Sequence, residues 1–338
     1  MLVSIVIPLY NMEKYVGECL QSLLDQPSLK GDYEIIVVND GSQDNSLKIV
    51  EEYQSINPVI KIINKENAGV GAARNDGMMA AKGTFIQFVD PDDRMRTDSL
   101  FEVYKIASAN KLEILTYVSH DFKNGEPLQT PSVPANEFLN PEVLPGNRYI
   151  SKYRYKNEIW WYLIERKFLI ESNVKFIEGK WMEDAIFTPQ LFLKSERMAH
   201  IDYDIYEHRV IPTSAMQNRS TEHYNKVIYD NQNATYVFKE IIASLEGTDK
   251  FDQECCERLK IRQESFIFFL TMRLIQSNLP LEELRKMFDG FREIKVYPLR
   301  HFPGKDYKGF SYKVLTPLVN NPKLLIPVAK MFRKVTVS

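Results

Sequence analysis

Cysteine is scarce. Three residues in 338, Cys19, Cys255 and Cys256, are odd in number and cannot build a disulfide framework or a four-cysteine zinc site. A reducing cytosol is the compartment that fits this usage. An excess of one charge is also missing. The 43 Lys and Arg against 45 Asp and Glu leave −2 at pH 7, so the chain lacks the basic bias of a nucleic-acid binder. No apolar run approaches the length of a membrane span. The chain opens directly on the strand-like Leu2 to Leu9, without the charged start and apolar core of a secretion signal. Repeats and low-complexity tracts are absent too, which excludes solenoids and leaves two ordinary domains, or one large domain with an appendage. The expectation is a cytoplasmic protein, soluble or peripheral on a membrane.

What is present concentrates at strand ends. Residues Gly83 to Asp93 form an apolar strand that runs into three carboxylates, Asp90, Asp92 and Asp93, within four residues. Carboxylates this close raise each other's pKa unless a positive charge sits among them. A hard divalent cation with oxygen ligands is the natural partner, and such a site commonly serves a nucleoside diphosphate. A solvated Asp-Pro-Asp turn would use the same residues, and the segment alone leaves both readings open.

The first third alternates strand and helix patterns. Ser4 to Tyr10 reads as a buried strand, and Tyr15, Cys19, Leu20, Leu23 and Leu24 recur at helical spacing. Ile35-Ile36-Val37-Val38 is too continuous for a one-faced strand and suits a parallel sheet covered on both sides. Ser42 and Asp44 are cap candidates for a helix from about Asp44; a strand at Val59 to Ile63, a helix through Ala72, Ala73 and Met79, and the strand ending at Asp90 follow. Repeated βα units predict an α/β fold with a doubly wound, mostly parallel sheet. Ligands of such sheets sit beyond the carboxyl ends of the strands, where Tyr10, Asp40, Asn67 and Asp90 all fall.

Beyond this, the Pro- and Asn-rich stretch Asn124 to Asn147 reads as a loop. Glu183-Asp184 opens a helix that runs to about Leu193, and two acids there also suit the positive end of a helix dipole. From about Glu222 to Phe291 the periodicity is helical, and the chain ends in a basic, apolar tail.

Several motifs occur together in one order: Ile5 to Asn11, Val38 to Asp44, Asn67-Ala68-Gly69 with Ala73-Arg74-Asn75, Asp90-Pro91-Asp92-Asp93, and Glu183-Asp184. This combination resembles family 2 of the inverting glycosyltransferases over roughly residues 1 to 215. The resemblance implies a nucleotide-diphospho-sugar transferase (GT-A) sheet with a helical C-terminal extension. It implies a nucleotide-sugar half at residues 1–110, an acceptor-binding and catalytic half at 111–220, and a helical region at 221–338. The Gln-x-x-Arg-Trp element of processive members is absent, which points to one sugar per acceptor, in the cell-surface polysaccharide class.

Roles follow from the resemblance residue by residue. Pro8, Tyr10, Asp40, Asn67, Arg74 and Asp90 would bind the nucleotide, with Tyr10 stacking on the base and Asp40 accepting from a uracil imide. Taken alone, these residues also fit a half-buried strand aromatic, a turn Asp and a solvated helix Arg. Asp90 and Asp92 match the Asp-x-Asp that engages ribose and a Mn2+ or Mg2+ ion; Asp93 is either a third ligand or a helix cap. Asp184, or else Glu183, would be the base that activates the acceptor hydroxyl. His208 and Arg209, within Tyr206 to Arg209 and followed by Thr213-Ser214, resemble a loop that closes over the diphosphate. Trp160, Trp161 and Trp181 could form a sugar platform or core.

The expected partners are a nucleotide-sugar donor, UDP-linked, and a glycan or lipid-linked acceptor, with no nucleic acid. Residues 307–338 carry Lys308, Lys313, Lys323, Lys330, Arg333 and Lys334, no acid and many apolar residues. That composition suits the inner face of the plasma membrane, although an ordinary packing helix fits it as well; Pro317, Pro322 and Pro327 argue against one long amphipathic helix. A sugar-phosphate nucleotidyltransferase would carry a glycine- and lysine-rich loop after the first strand, and Tyr10-Asn11-Met12-Glu13 is not one. The remaining alternative, a nucleotide-sugar-binding scaffold without turnover, is at odds with intact Asp92 and Asp184.

Overall fold

A computed structural model describes residues 1–128, 139–211 and 220–336 of the chain. Pro131 and Pro134 of the predicted loop, and Thr213-Ser214, lie outside the described residues. Two compact units form, Met1–Tyr149 with Lys156–Pro212, and Ile150–Tyr155 with Thr213–Ser338.

The first unit alternates strand and helix as the apolar periodicity predicts. In chain order it contains β1 (Val3–Leu9), α1 (Val16–Leu24), β2 (Tyr33–Asp40), α2 (Ser46–Ile56), β3 (Ile60–Lys65), α3 (Val70–Ala80) and β4 (Phe85–Phe88). Then come β5 (Arg94–Met95), α4 (Ser99–Ala109), β6 (Ile114–Phe122), α5 (Gly146–Lys152), whose residues from Ile150 on are counted with the second unit, β7 (Tyr162–Glu165), α6 (Arg166–Ser172), α7 (Glu183–Lys194) and β8 (Met198–Arg209). The eight strands make one sheet in the order β3-β2-β1-β4-β7-β6-β8-β5. Pairings along β3-β2-β1-β4 and between β6 and β8 are parallel, whereas β7 pairs antiparallel with β4 and β6, and β5 with β8. Every residue of β1 and β2 is buried, as a strand covered on both faces requires.

Two local details refine the expectations. Helix α2 begins at Ser46 with Asn45 at its N-cap position, and Asp44 acts from one residue further out, its Oδ1 accepting from the Ser46 N–H at 2.9 Å. Ser42 does not cap it; its hydroxyl accepts from the Asn11 N–H at 3.2 Å and joins two loops instead. Helix α3 lies close on the sheet because position 77 has no side chain. A Cβ there would stand 2.3 Å from Val6 Cγ1 and 3.2 Å from Val38 Cγ2.

The second unit is helical: α8 (Thr221–Ala243), α9 (Gln253–Gln276), α10 (Leu281–Glu293), α11 (Phe310–Val319) and α12 (Pro322–Thr336). Ile228, Ile267, Leu270, Leu284, Phe288 and Phe291 are fully buried in its core. Asp252 caps α9 by accepting from the Cys255 N–H at 2.9 Å, and the buried Glu264 carboxylate accepts from the N–H groups of Arg300, His301 and Phe302, each at 2.8 Å. The tail divides at Pro322, which takes the first helical position of α12, where its missing N–H costs nothing.

Gly77→Ala sets two effects against each other. Alanine gains roughly 1 kcal/mol of helix propensity, but overpacking against Val6 costs about 1–3 kcal/mol. The clash should win, so urea unfolding of Gly77→Ala should show a lower midpoint at unchanged slope.

Candidate active site

Along the sheet edge, in the order β3, β2, β1, β4, the residues at or just past the strand ends are Asn67, Asp40, Tyr10 and Asp90. The Asp40 carboxylate is buried and fixed, accepting from the N–H groups of Ala68 at 2.9 Å and Gly69 at 2.8 Å. Gly69 offers its N–H from φ +92°, a conformation natural to glycine alone. Asn67 Nδ2 donates to the Asp40 carbonyl at 2.9 Å. Pro8 is buried within β1 opposite Val38, while Tyr10 projects with 43% of its surface exposed. The loops beside Tyr10 are tied together: the Gln43 N–H donates to Asn11 Oδ1 at 2.8 Å, and the Asn45 N–H to Glu13 Oε2 at 3.0 Å.

Arg74 is buried, unlike the solvated helix arginine that α3 alone would suggest. Its Nη2 donates to Asp90 Oδ1 at 2.9 Å and its Nη1 to Glu183 Oε1 at 2.8 Å, with the guanidinium 5.6 Å from the Phe176 ring. Burial works against its charge, but Asp90, Glu183 and Asp184 together outweigh that and hold it protonated. One side chain thus joins the end of β4 to the start of α7.

Glu183 and Asp184 occupy the first turn of α7, after Met182 at φ +67°. Burial raises the Glu183 carboxyl while Arg74 pulls it back. The Asp184 carboxyl accepts from the Ala185 N–H at 2.6 Å, and burial, seconded by the neighbouring Glu183 charge, pushes it up to about 7. A carboxylate so placed is matched to accept a proton near neutral pH.

Asp93 departs from the cap reading. It is followed by the strand β5, so there is no helix for it to cap; it is fully buried and anchors the turn. Its Oδ1 accepts from the Arg209 N–H and its Oδ2 from the Tyr206 hydroxyl, both at 2.7 Å, while that hydroxyl accepts from the Asp90 N–H at 3.1 Å. Burial first, then Asp90 and Asp92, hold its carboxyl well above the usual range. Asp92 beside it is raised to about 6, chiefly by burial and then by the charge of Asp90.

Tyr206 to Arg209 is the end of strand β8 and not a loop. Alternation sends its side chains to opposite faces. Tyr206 stacks on Trp160 at 4.6 Å between ring centroids, and His208 stacks on the same indole at 5.5 Å while bonding Asp121 Oδ1 at 3.0 Å. Glu207 pairs with Arg94. The Arg209 guanidinium is taken up internally, by the Asp92 carbonyl and Glu18 Oε2, both at 2.6 Å, and by Asn124 Oδ1. Burial raises Glu18, but Arg209 and Arg94 outweigh it and leave its pKa lowered. Nothing in the sequence marks Glu18 or Arg94 as a support of the site. In sequence Glu18 is one acid on a helix, and its partners lie 76 and 191 residues away.

Trp160 and Trp161 are buried, and Trp181 is half-buried. A cavity of about 250 Å³ lies against Arg94, Arg96, His120, Phe122, Asp204 and Glu207, but its cations pair with its own carboxylates, Arg94 with Glu207 and Arg96 with Asp204. The sheet edge is the better candidate because Asp40, Tyr10 and Asp90 stand at or just past the carboxyl ends of parallel strands, where such sheets bind ligands. Among the described residues no three His, Cys, Asp or Glu converge as a ready metal cage. Asp92, raised by burial and then by the charge of Asp90 beside it, fits the alternative in which one or two carboxylates hold a cation and phosphate oxygens complete its shell.

Comparison with known proteins agrees with this geometry. Residues 4–166 match the model of Glycosyl transferase family 2. The glycosyltransferase EpsJ of Bacillus subtilis is 35% identical over 218 residues, 63% of this chain and 62% of EpsJ. The poly(ribitol-phosphate) beta-glucosyltransferase of Bacillus spizizenii is 32% identical over 256 residues, 74% of this chain and 37% of that protein. The match thus spans less than two thirds of either relative's length. In fold, the crystal structure of S. aureus TarS 1-349 in complex with UDP-GlcNAc superposes with a TM-score of 0.68 at 22% identity, covering 99% of this chain and 92% of that one. Residues 4–166 carry a Glycosyl transferase family 2 domain, and the chain shares with that structure a GT-A-type sheet and a helical C-terminal region.

Without added cation, folded Asp92 keeps its proton to about pH 6, whereas the unfolded residue releases it near the ordinary value of about 4. The folded chain therefore binds more protons in that window, and this residue's stabilising contribution is lost as pH rises through it. Asp92→Asn should gain stability relative to wild type from about pH 4 to about pH 7, by up to about 3 kcal/mol. Urea midpoints measured across that range test it; a difference that stays flat would mean Asp92 is not held protonated.

Proposed function

We propose, on the premise that residues 4–166 are a family 2 glycosyltransferase domain, that this chain moves a sugar from a UDP-linked donor to a hydroxyl of a glycan or lipid-linked acceptor, with inversion and one sugar per acceptor. The observation that carries the reading is the Arg74 bridge, which sets Asp90 at the nucleotide edge and Glu183-Asp184 in one connected cluster.

In this reading Tyr10 stacks on the base, and Asp40, pinned by two backbone N–H groups, presents its remaining lone pairs to an imide N–H. Pro8 and Asn67 shape the floor beside it, and Asp90 receives the ribose. Asp92, with Asp90, would hold Mn2+ or Mg2+ against the diphosphate. When bound, such an ion neutralises charge developing on the departing nucleoside diphosphate. His208 lies on the diphosphate side, and Arg209 serves by bracing the Asp92 carbonyl. Asp184 takes the proton of the acceptor hydroxyl as its oxygen attacks the anomeric carbon in line; the carbon–phosphate-oxygen bond breaks on the opposite face, and inversion follows. Residues 1–110 would serve the donor and 111–220 the acceptor and base.

The relatives support the donor and acceptor classes. The S. aureus neighbour was solved with UDP-GlcNAc and with UDP, a mannosyltransferase of Pyrobaculum calidifontis with GDP-Man and Mn2+ at a TM-score of 0.55, and the B. spizizenii relative is named for poly(ribitol-phosphate). Three free, buried cysteines support a cytoplasmic setting.

Titration of UDP and GDP, each with and without Mn2+, into wild type and Asp92→Ala tests donor and metal together. UDP should bind more tightly with Mn2+, and Asp92→Ala should abolish that gain; metal-independent or absent binding would remove the metal assignment.

Once a donor is in hand, kcat/KM should rise with pH through about 7 as Asp184 loses its proton. Asp184→Asn should lower kcat by about 10²–10⁴ while UDP affinity holds. Turnover unaffected by the substitution would shift the base to Glu183, and UDP binding with no turnover in wild type would favour a scaffold.

A further inference from the structure

Helix α12 is fastened to the second unit by one face only. Leu325, Ile326 and Ala329 are buried in the core, and the Arg333 guanidinium donates to the carbonyls of Ile275 at 2.9 Å, Leu279 at 2.8 Å and Leu274. The Leu274 carbonyl also accepts from the Ser277 N–H at 3.1 Å; Arg333 adds a donor there and serves the Ile275 and Leu279 carbonyls at the end of α9 and in the loop after it, and this three-point grip fixes the rotation of α12 about its axis.

With that rotation fixed, another face is held outward. Leu324, Val328 and Met331, spaced i, i+4, i+7, are 58%, 43% and 65% exposed. Helix α11 repeats the pattern with Phe310 and Val314, 84% and 52% exposed, and Pro317 after them, also exposed. Beside the α12 apolar row runs a basic one: Lys323, Lys330 and Lys334, spaced i, i+7, i+11 and all exposed, joined by exposed Lys308 and Lys313. From Tyr307 to Ser338 there is no Asp or Glu to offset them.

Large apolar side chains kept in water next to a row of lysines match an anionic surface with an apolar interior beneath it. We infer that α11 and α12 form an interfacial anchor that lies in the headgroup layer of an anionic bilayer, Phe310, Val314, Leu324, Val328 and Met331 entering the acyl boundary and the lysines reaching lipid phosphates. A soluble polyanion would engage the lysines and leave the apolar row without a partner, and the bilayer answers both. Neither helix is long and apolar enough to cross a membrane, so the segment lies on the surface. The inference is independent of the donor site and holds or fails whatever nucleotide is bound.

Co-sedimentation of the full chain with vesicles tests it, using phosphatidylcholine alone and phosphatidylcholine with 30% phosphatidylglycerol. Binding should be at least about tenfold tighter to the anionic vesicles and should weaken with salt. The double variant Leu324→Glu/Met331→Glu should lose vesicle binding of both kinds, and Lys323→Gln/Lys330→Gln/Lys334→Gln should lose only the anionic preference. Both variants alter exposed side chains, so unchanged thermal unfolding and UDP affinity serve as folding controls. Equal binding of wild type and Leu324→Glu/Met331→Glu would overturn the inference. So would a concentration-dependent dimer, seen by light scattering and broken by the same double variant, since a second copy would then cover the face.

Discussion

The candidate site depends on a single buried cation. Arg74 gives one arm of its guanidinium to Asp90 at the end of β4 and the other to Glu183 at the start of α7. Those residues are 93 apart in sequence, and no backbone pairing joins them. Burying an arginine with two carboxylates is repaid only when the geometry satisfies most of the donors, and removing one partner from such a group leaves an uncompensated charge, at a cost of about 3–5 kcal/mol. The interaction therefore does less for stability as such than for definition: it dictates where Asp184, next in sequence to Glu183, must stand. Its Nε is buried without a partner among the described residues, a further cost accepted at this position.

Much of the sheet edge was readable from sequence because parallel strands announce themselves. The all-apolar runs of β1 and β2 admit little but a doubly covered sheet, and polar residues immediately after such runs must fall at its carboxyl edge. The roles of Arg74 and Asp93 were not readable in the same way. Asp93 precedes a two-residue strand whose pairing partner, Tyr206-Glu207, lies more than a hundred residues on, and local pattern cannot carry such a pairing. The same holds for Arg209: its neighbours Glu18, Asn124 and Asp92 come from three separate parts of the chain, so the segment looked like a phosphate-gripping loop and folded as the bracing end of a strand. In the tail, composition showed the basic and apolar excess, but which residues face outward follows from the grip of Arg333 on α9.

The two acidic clusters of the site differ in how they manage repulsion. At Asp90 to Asp93 three carboxylates share one turn, and burial followed by mutual repulsion raises the carboxyls of Asp92 and Asp93. At Glu183-Asp184 the adjacent Arg74 neutralises one acid, leaving the other with an affinity for protons near neutrality. A group of side chains built this way suits positive charge at Asp90 to Asp93 and a transferable proton at Asp184.

The two close approaches made by α3 bear on motion. At Gly77 the helix backbone meets Val6 of the sheet, and at Gly71 a Cβ would stand 2.7 Å from the Ile177 carbonyl, while the Asn75 amide bonds the backbone of Phe176 from both sides. The helix that carries Arg74 is thus clasped between the strands and the segment leading to Glu183, with no slack in either direction. Such an element cannot act as a hinge. The parts left free to rearrange are the loops past the strand ends, which are not held by such contacts on both sides.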